Sequence, residues 1–208
     1  VKTLIFVFIF IVSCTSNNQT KHTKSGQKVT LNFSKANAGH RLGGDVLKGF
    51  KDNTLATLST AMELGIQHHE SFKYWEFDVR ETKDNVLIVH HDRKINKGKN
   101  IDEMTFLEIK KMAPFIPKYT EVMSYLNNNF KGRVVVEIKY LISDKGRQTI
   151  IDIVEKYRAM PNLFIDYLAF KGHFKASFPK SNVFHWCKKL KYVMKAKNHK
   201  VNLCKKSS

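Results

Sequence analysis

Cysteine is scarce in this chain, with three residues, Cys14, Cys187 and Cys204, in a length of 208. Their number and scatter exclude a disulfide framework and a cysteine-rich zinc module. Acidic residues are also short, 18 Asp+Glu against 36 Lys+Arg, which leaves a formal charge of +18. Such an excess of base points to nucleic acid, anionic lipid or a phosphate-bearing substrate, and charge alone does not choose among them. No apolar run is long enough to cross a bilayer, which needs ~20 residues; the longest, Leu4 to Val12, has nine. No internal repeat and no Gly/Pro-rich linker divides the chain. What is plentiful is core-forming material, 42% hydrophobic and 12% aromatic, which argues against wholesale disorder in a length that suits one domain.

The apolar run follows Lys2 and precedes Ser13, Cys14 and a polar stretch. That order is a charged n-region, a short h-region and a small residue before a cut, the pattern of an export signal. The tetrad Ile11-Val12-Ser13-Cys14 resembles a bacterial lipobox, which implies that Cys14 is acylated and heads the mature chain. The expected division is a lipoprotein signal peptide over 1–13, a polar tether over 14–28, the main domain over 29–186 and a lysine-rich tail over 187–208. The expected location is outside the cytoplasm, on the periplasmic or cell-surface face of a membrane reached through that lipid anchor.

Apolar-rich segments at 35–39, 74–80, 86–90, 133–138, 164–170 and 182–186 read as strands. Helical spacing recurs between several of them, at 53–64, 102–112, 120–128 and 145–158. Strands alternating with helices argue for an α/β fold with a mainly parallel sheet or barrel. One connection departs from that scheme, because only Glu81 to Asn85 separates two strand readings and a crossover needs a dozen or more residues. With Asp84-Asn85 as a two-residue hairpin turn, Asp78 would stand directly across from His91.

Four short motifs fall at strand ends: His40-Arg41, Glu76-Phe77-Asp78, His91-Asp92 and Glu137-Ile138-Lys139. Strand geometry puts Glu76 and Asp78 on one face, and likewise Glu137 and Lys139. Carboxylates inside otherwise apolar strands need partners, since an ionised one buried alone costs several kcal/mol. Three of them meeting at one end of a sheet make a hard oxygen site suited to Mg²⁺ or Ca²⁺. Two histidines beside it can act as general base and general acid, each worth on the order of 10²- to 10⁴-fold. Arg41 and Lys139 add positive charge for a phosphoryl oxygen.

The segments AGHRLGG at 38–44, DNTLATLSTAMELG at 52–65, EFDVRETKDNVLIVHHD at 76–92 and VVVEIK at 134–139 together resemble the glycerophosphodiester phosphodiesterase family in order and approximate spacing. The resemblance implies a (β/α)₈ TIM-type barrel with its site at the carboxyl ends of the strands. It implies a divalent metal held by Glu76, Asp78 and Glu137, an acid/base pair of His40 and His91, and phosphate contacts from Arg41 and Lys139. The implied reaction is metal-dependent hydrolysis of a small phosphodiester to an alcohol and glycerol 3-phosphate. Two enzyme-level and non-catalytic alternatives stand beside it: a phospholipid or lysophospholipid headgroup phosphodiesterase of phospholipase C or D type, and an inactive barrel acting as a basic surface-binding protein. Nucleic acid is not an expected partner, because the lysines lack the aromatic interleaving of a recognisable module.

The sequence also departs from the family pattern. Asp52 stands where a glutamate is usual before Asn-Thr, and Leu42 where a glycine usually follows His-Arg. The stretch IQHHESFKYW at 66–75 reads as an insertion whose His68, His69 and Glu70 belong to a solvated loop rather than a second metal site. His90, on the opposite strand face from His91, is expected to be structural or to support the site residues from behind, and Trp75 and Trp186 to be packing residues. From Lys171 onward there are 11 lysines and no acid. The 169 residues from His40 to Ser208 fall short of the roughly 200 to 250 that a full barrel takes, so the expectation is an incomplete barrel of about six strands, from a truncated frame or a natural short form.

Overall fold

The structure is a computed structural model that describes residues 18–96, 98–141, 143–156, 163–166 and 201–202. The first element is an antiparallel hairpin of β1 (Asn18–His22) and β2 (Lys28–Asn32). Its turn is closed by the Gly26 amide donating to Thr23 O at 2.8 Å, with Gly26 at φ +84°. The β2 sequence KVTLN alternates, and Val29 and Leu31 are buried. The expected tether over 14–28 therefore already carries a strand from Asn18 onward. The strand NQTKH is polar throughout and mostly exposed, so backbone pairing forms it and no apolar pattern announces it. Beyond β2 the chain folds back, with the Asn32 amide bonded to Val46 O and the Lys48 amide to Thr30 O, which ties the loop after residue 43 to the hairpin.

The main sheet among the described residues has five strands in the order β4-β3-β5-β6-β7: β3 (Trp75–Glu81), β4 (Leu87–Val89), β5 (Val134–Tyr140), β6 (Leu163–Asp166) and β7 (Val201–Asn202). Strands β3, β5, β6 and β7 run parallel, and β4 is an antiparallel edge on β3. Helices fill the connections: α1 (Leu55–Glu63) before β3, α2 (Phe106–Met112) and α3 (Tyr119–Asn129) between β4 and β5, and α4 (Asp144–Lys156) between β5 and β6. This is an α/β fold. Thr54 caps α1 by accepting from the Thr57 amide, and a Thr105/Glu108 capping box starts α2. Residues 102–104 therefore belong to a short 3₁₀ turn (Ile101–Glu103) and its exit, while the α-helix begins at Phe106.

Strand β3 is buried on both faces. Trp75, Phe77 and Val79 point to one side, where Trp75 meets Phe72 and Phe130 edge-on and Phe77 lies 5.9 Å from the Tyr119 ring of α3. Fully burying side chains of this kind stabilises the fold by about 1.5–3 kcal/mol each. Trp75 is thus a packing residue. The alternate positions, Glu76 and Asp78, are equally buried and polar, and they set the site.

Three expectations shift. Segment 35–39 is a turn, held by Asn37, whose Oδ1 accepts from the Gly39 and Lys73 amides while its Nδ2 donates to Tyr74 O. The β3–β4 hairpin pairs Val79 with Val89, so Asp78 faces His90, and the His90 amide donates to Asp78 O at 2.9 Å. The register moves by one because Asn85 adopts a left-handed conformation (φ 62°) and the loop holds three residues between Thr82 and Val86. The segment at 164–170 is a strand through Asp166; its remainder, the strand at 182–186, Trp186, residues 1–17 with Cys14, and all of the 187–208 tail except Val201–Asn202 lie outside the described residues.

Candidate active site

The parallel register of β3 and β5 places Asp78 beside Glu137, with Glu76 two residues earlier on the same face of β3. One carboxylate oxygen from each of Glu76, Asp78 and Glu137 lies within 4.8 Å of the others. Asp78 is 1% and Glu76 5% exposed. Asp166 occupies the neighbouring register position on β6, opposite Glu137.

Each acid has partners that leave part of its capacity open. Asp78 Oδ2 accepts from Asn53 Nδ2 at 2.8 Å, and Asp78 Oδ1 faces Lys139 Nζ at 3.2 Å. Glu137 Oε1 accepts from Lys139 Nζ at 2.7 Å. Glu76 Oε2 accepts from the Arg41 amide at 2.9 Å, whereas the buried Glu76 Oε1 has no hydrogen-bond partner. Burial and the neighbouring charge of Asp78 push the Glu76 carboxyl up to about 8. Burial works against the Lys139 charge, but the hydrogen bond to Glu137 and the field of Asp78 outweigh it and hold the ammonium above its ordinary value.

The His40-Arg41 motif sits on a 3₁₀ turn, His40–Gly43, in which Arg41 (φ 49°, ψ 45°) and Leu42 (φ 59°, ψ 30°) are both left-handed. Such a conformation costs roughly 1–2 kcal/mol for each non-glycine residue. Full burial of Leu42 and the Arg41 backbone bonds to Glu76 and Asn53 offset it. The left-handed backbone is the physical reason a glycine would suit position 42. The turn directs the Arg41 amide at Glu76 and brings His40 Nε2 to 3.6 Å from Glu76 Oε2. On the other side of the ring, His40 Nδ1 lies 2.6 Å from Asp45 Oδ2. Asp52 accepts from Arg41 Nη1 at 2.9 Å, and the buried Arg41 Nε is left without an acceptor.

His91 follows β4, with Nδ1 2.8 Å from Asp92 Oδ1 and its carbonyl clamped by Arg80 through Nε at 3.0 Å and Nη2 at 2.7 Å. His90 is half-buried, and burial lowers its pKa below the ordinary imidazole value. It lines an open cleft of about 390 Å³ together with Asp45, Lys51, Asp52 and Phe115. The inserted histidines are occupied by packing: His69 stacks on Phe33 with centroids 3.6 Å apart, and His68 contacts Gln67. Asn53 and Asp45 are partners that sequence reasoning passed over. Asn53 stands in the DNT segment just before the α1 cap with φ 56°, and its Oδ1 also accepts from the Asp78 amide.

The donor set suits a divalent cation. Three clustered carboxylates, one of them with a buried free oxygen and with its pKa pushed up to about 8 by burial and then by the charge of Asp78, are what a hard, oxygen-seeking ion would relieve.

Comparison with known proteins bears on the same residues. The model of the glycerophosphoryl diester phosphodiesterase family matches residues 40–200. Among solved structures, the glycerophosphodiester phosphodiesterase of Agrobacterium tumefaciens is 19% identical with a TM-score of 0.52, over 76% of this chain and 62% of that one. The chain thus spans less than two thirds of that relative's length. The Thermotoga maritima glycerophosphodiester phosphodiesterase is 21% identical (TM-score 0.48, 74% of this chain and 68% of that one). An Oleispira antarctica phosphodiesterase, solved with its product sn-glycerol-3-phosphate, is 18% identical (TM-score 0.48, 78% and 81%). Curated protein sequences gave no match. At these identities the Agrobacterium likeness speaks to the α/β fold. The family match is broader evidence, since it runs through the His40 turn, the acidic cluster, His91 and Lys139. The chain belongs to the glycerophosphoryl diester phosphodiesterase family.

Proposed function

We propose that this protein hydrolyses glycerophosphodiesters to an alcohol and glycerol 3-phosphate, in a (β/α)₈-type barrel to which the parallel strands β3, β5, β6 and β7 belong. Family membership supports the reaction and the glycerophosphate half of the substrate. The observation that carries the reading is the convergence of Glu76, Asp78 and Glu137, with the buried Glu76 Oε1 unpartnered. These three residues would hold a divalent cation, Mg²⁺ or Ca²⁺. Such an ion supplies Lewis-acid stabilisation of charge on the phosphoryl oxygens.

The chain's own groups do the rest. Arg41, with a buried Nε–H lacking an acceptor, and Lys139 bind the non-bridging phosphoryl oxygens. One of His40 and His91 takes the proton from the nucleophile, either a water that gives glycerol 3-phosphate directly or the adjacent hydroxyl of the substrate's glycerol, which gives a cyclic phosphate that a second attack, by water, opens to glycerol 3-phosphate. The other donates a proton to the leaving alkoxide as the P–O bond breaks. The test is turnover of glycerophosphocholine by His40→Ala and His91→Ala, each expected to lose at least ~10²-fold in kcat with the fold intact by circular dichroism. Near-normal turnover of either variant overturns the assignment. Running lysophosphatidylcholine in parallel decides between a soluble diester and a lipid headgroup.

A further inference from the structure

Asp45 lies outside every motif that the sequence displays, yet its place is fixed from both sides. Gly44 before it packs so tightly on the next segment that a Cβ there would stand 2.3 Å from the Asp52 Cβ. Val46 after it donates its amide to Gly43 O at 3.0 Å and receives the Asn32 amide of β2 at 2.9 Å. From this anchored backbone the Asp45 carboxylate, 18% exposed, meets His40 Nδ1 at 2.6 Å. The corresponding contact of His91 is with Asp92, which is 74% exposed and so open to competition from water. An ionised carboxylate only accepts hydrogen bonds, so a neutral His40 facing Asp45 carries its proton on Nδ1. The lone pair is then on Nε2, the nitrogen turned toward Glu76 at 3.6 Å.

We infer that Asp45 is a positioning residue that holds His40 in the Nδ1–H tautomer and presents the free Nε2 to the reacting phosphodiester. The inference rests on the proposed role of His40 in proton transfer. It assigns the hairpin β1–β2 a part in the site, because β2 clamps the Val46 backbone next to Asp45. Carboxylates that orient a functional histidine are typically worth on the order of 10- to 10²-fold or more.

The test combines nitrogen-15 spectra of histidine-labelled protein with steady-state kinetics on glycerophosphocholine. Spectra are taken well above the ordinary imidazole pKa of about 6.5, and the His40 signals are identified by their loss in His40→Ala. In the parent protein Nδ1 is expected to be protonated and Nε2 bare. Asp45→Ala should shift the ring toward the Nε2–H tautomer and lower kcat by roughly 10- to 10²-fold with KM unchanged. Asp45→Asn, whose amide can donate to a bare Nδ1 as readily as it accepts from Nδ1–H, should lose the tautomer bias and lower kcat as Asp45→Ala does. An unchanged tautomer in Asp45→Ala, while His40→Ala is inactive, overturns the role of Asp45 alone. A changed tautomer with full kcat in Asp45→Ala overturns it as well. An active His40→Ala instead sinks the catalytic role of His40, so the two failures are distinguishable.

Discussion

Replacing Glu76 by Gln tests the electrostatics of the acidic cluster without its metal. The Glu76 carboxyl is 5% exposed, and burial, followed by the charge of Asp78, raises its pKa from 4.5 to about 8. Between those values the folded protein binds a proton that the unfolded chain has released. Its contribution to stability is therefore complete below pH 4.5 and is lost as pH rises through about 8. One proton changes stability by about 1.4 kcal/mol per pH unit, so metal-free protein should lose about 2 kcal/mol from this group between pH 6 and pH 8. Glutamine is isosteric with the protonated carboxyl and does not titrate, so Glu76→Gln should lack that slope. Other groups titrate in the same range, His90 among them, whose depressed pKa gives a slope of the opposite sign. The comparison of the two proteins cancels those groups, which are common to both. The assay is urea unfolding in EDTA at pH 6 and pH 8, and the quantity read is the difference of differences. Parallel pH slopes for the parent and Glu76→Gln would refute the reasoning.

Two further substitutions probe the scaffold of the site. Gly39→Ala would put a Cβ 2.1 Å from Tyr74 O, next to His40, and should destabilise by more than about 3 kcal/mol because the clash is with backbone; a melting temperature within a few degrees of the parent would contradict it. Asn53→Ala removes the donor to Asp78 Oδ2 and the acceptor for the Asp78 amide, both buried, and forces alanine to φ 56°; it should cost about 2–4 kcal/mol and weaken Mg²⁺ or Ca²⁺ binding roughly 10- to 10²-fold, as denaturation and calorimetry would show.

The acidic cluster was legible in the sequence because a strand's two-residue period is rigid. Once 75–81 and 134–140 are strands, Glu76, Asp78 and Glu137 have little freedom in which way they face. The β3–β4 register was legible only to within one residue, because the choice between a two- and a three-residue loop rests on whether Asn85 turns left-handed. Asp45 and Asn53 were not legible, since they reach His40 and Asp78 through turns with no periodic signature. Asn53 left a trace in its position beside the helix cap Thr54; Asp45 left none. The first hairpin strand went unread because NQTKH lacks any apolar alternation.

The most direct measurement of the central claim is calorimetric titration of Mg²⁺ and Ca²⁺ into metal-free protein, the parent against Asp78→Asn and Glu137→Gln. The parent is expected to bind one ion with proton release near neutral pH, as the elevated Glu76 carboxyl ionises to join the site. Each variant should lose more than about 10²-fold in affinity, beyond what loss of an outer partner alone produces. Equal binding by all three proteins would show that Glu76, Asp78 and Glu137 are not the metal centre.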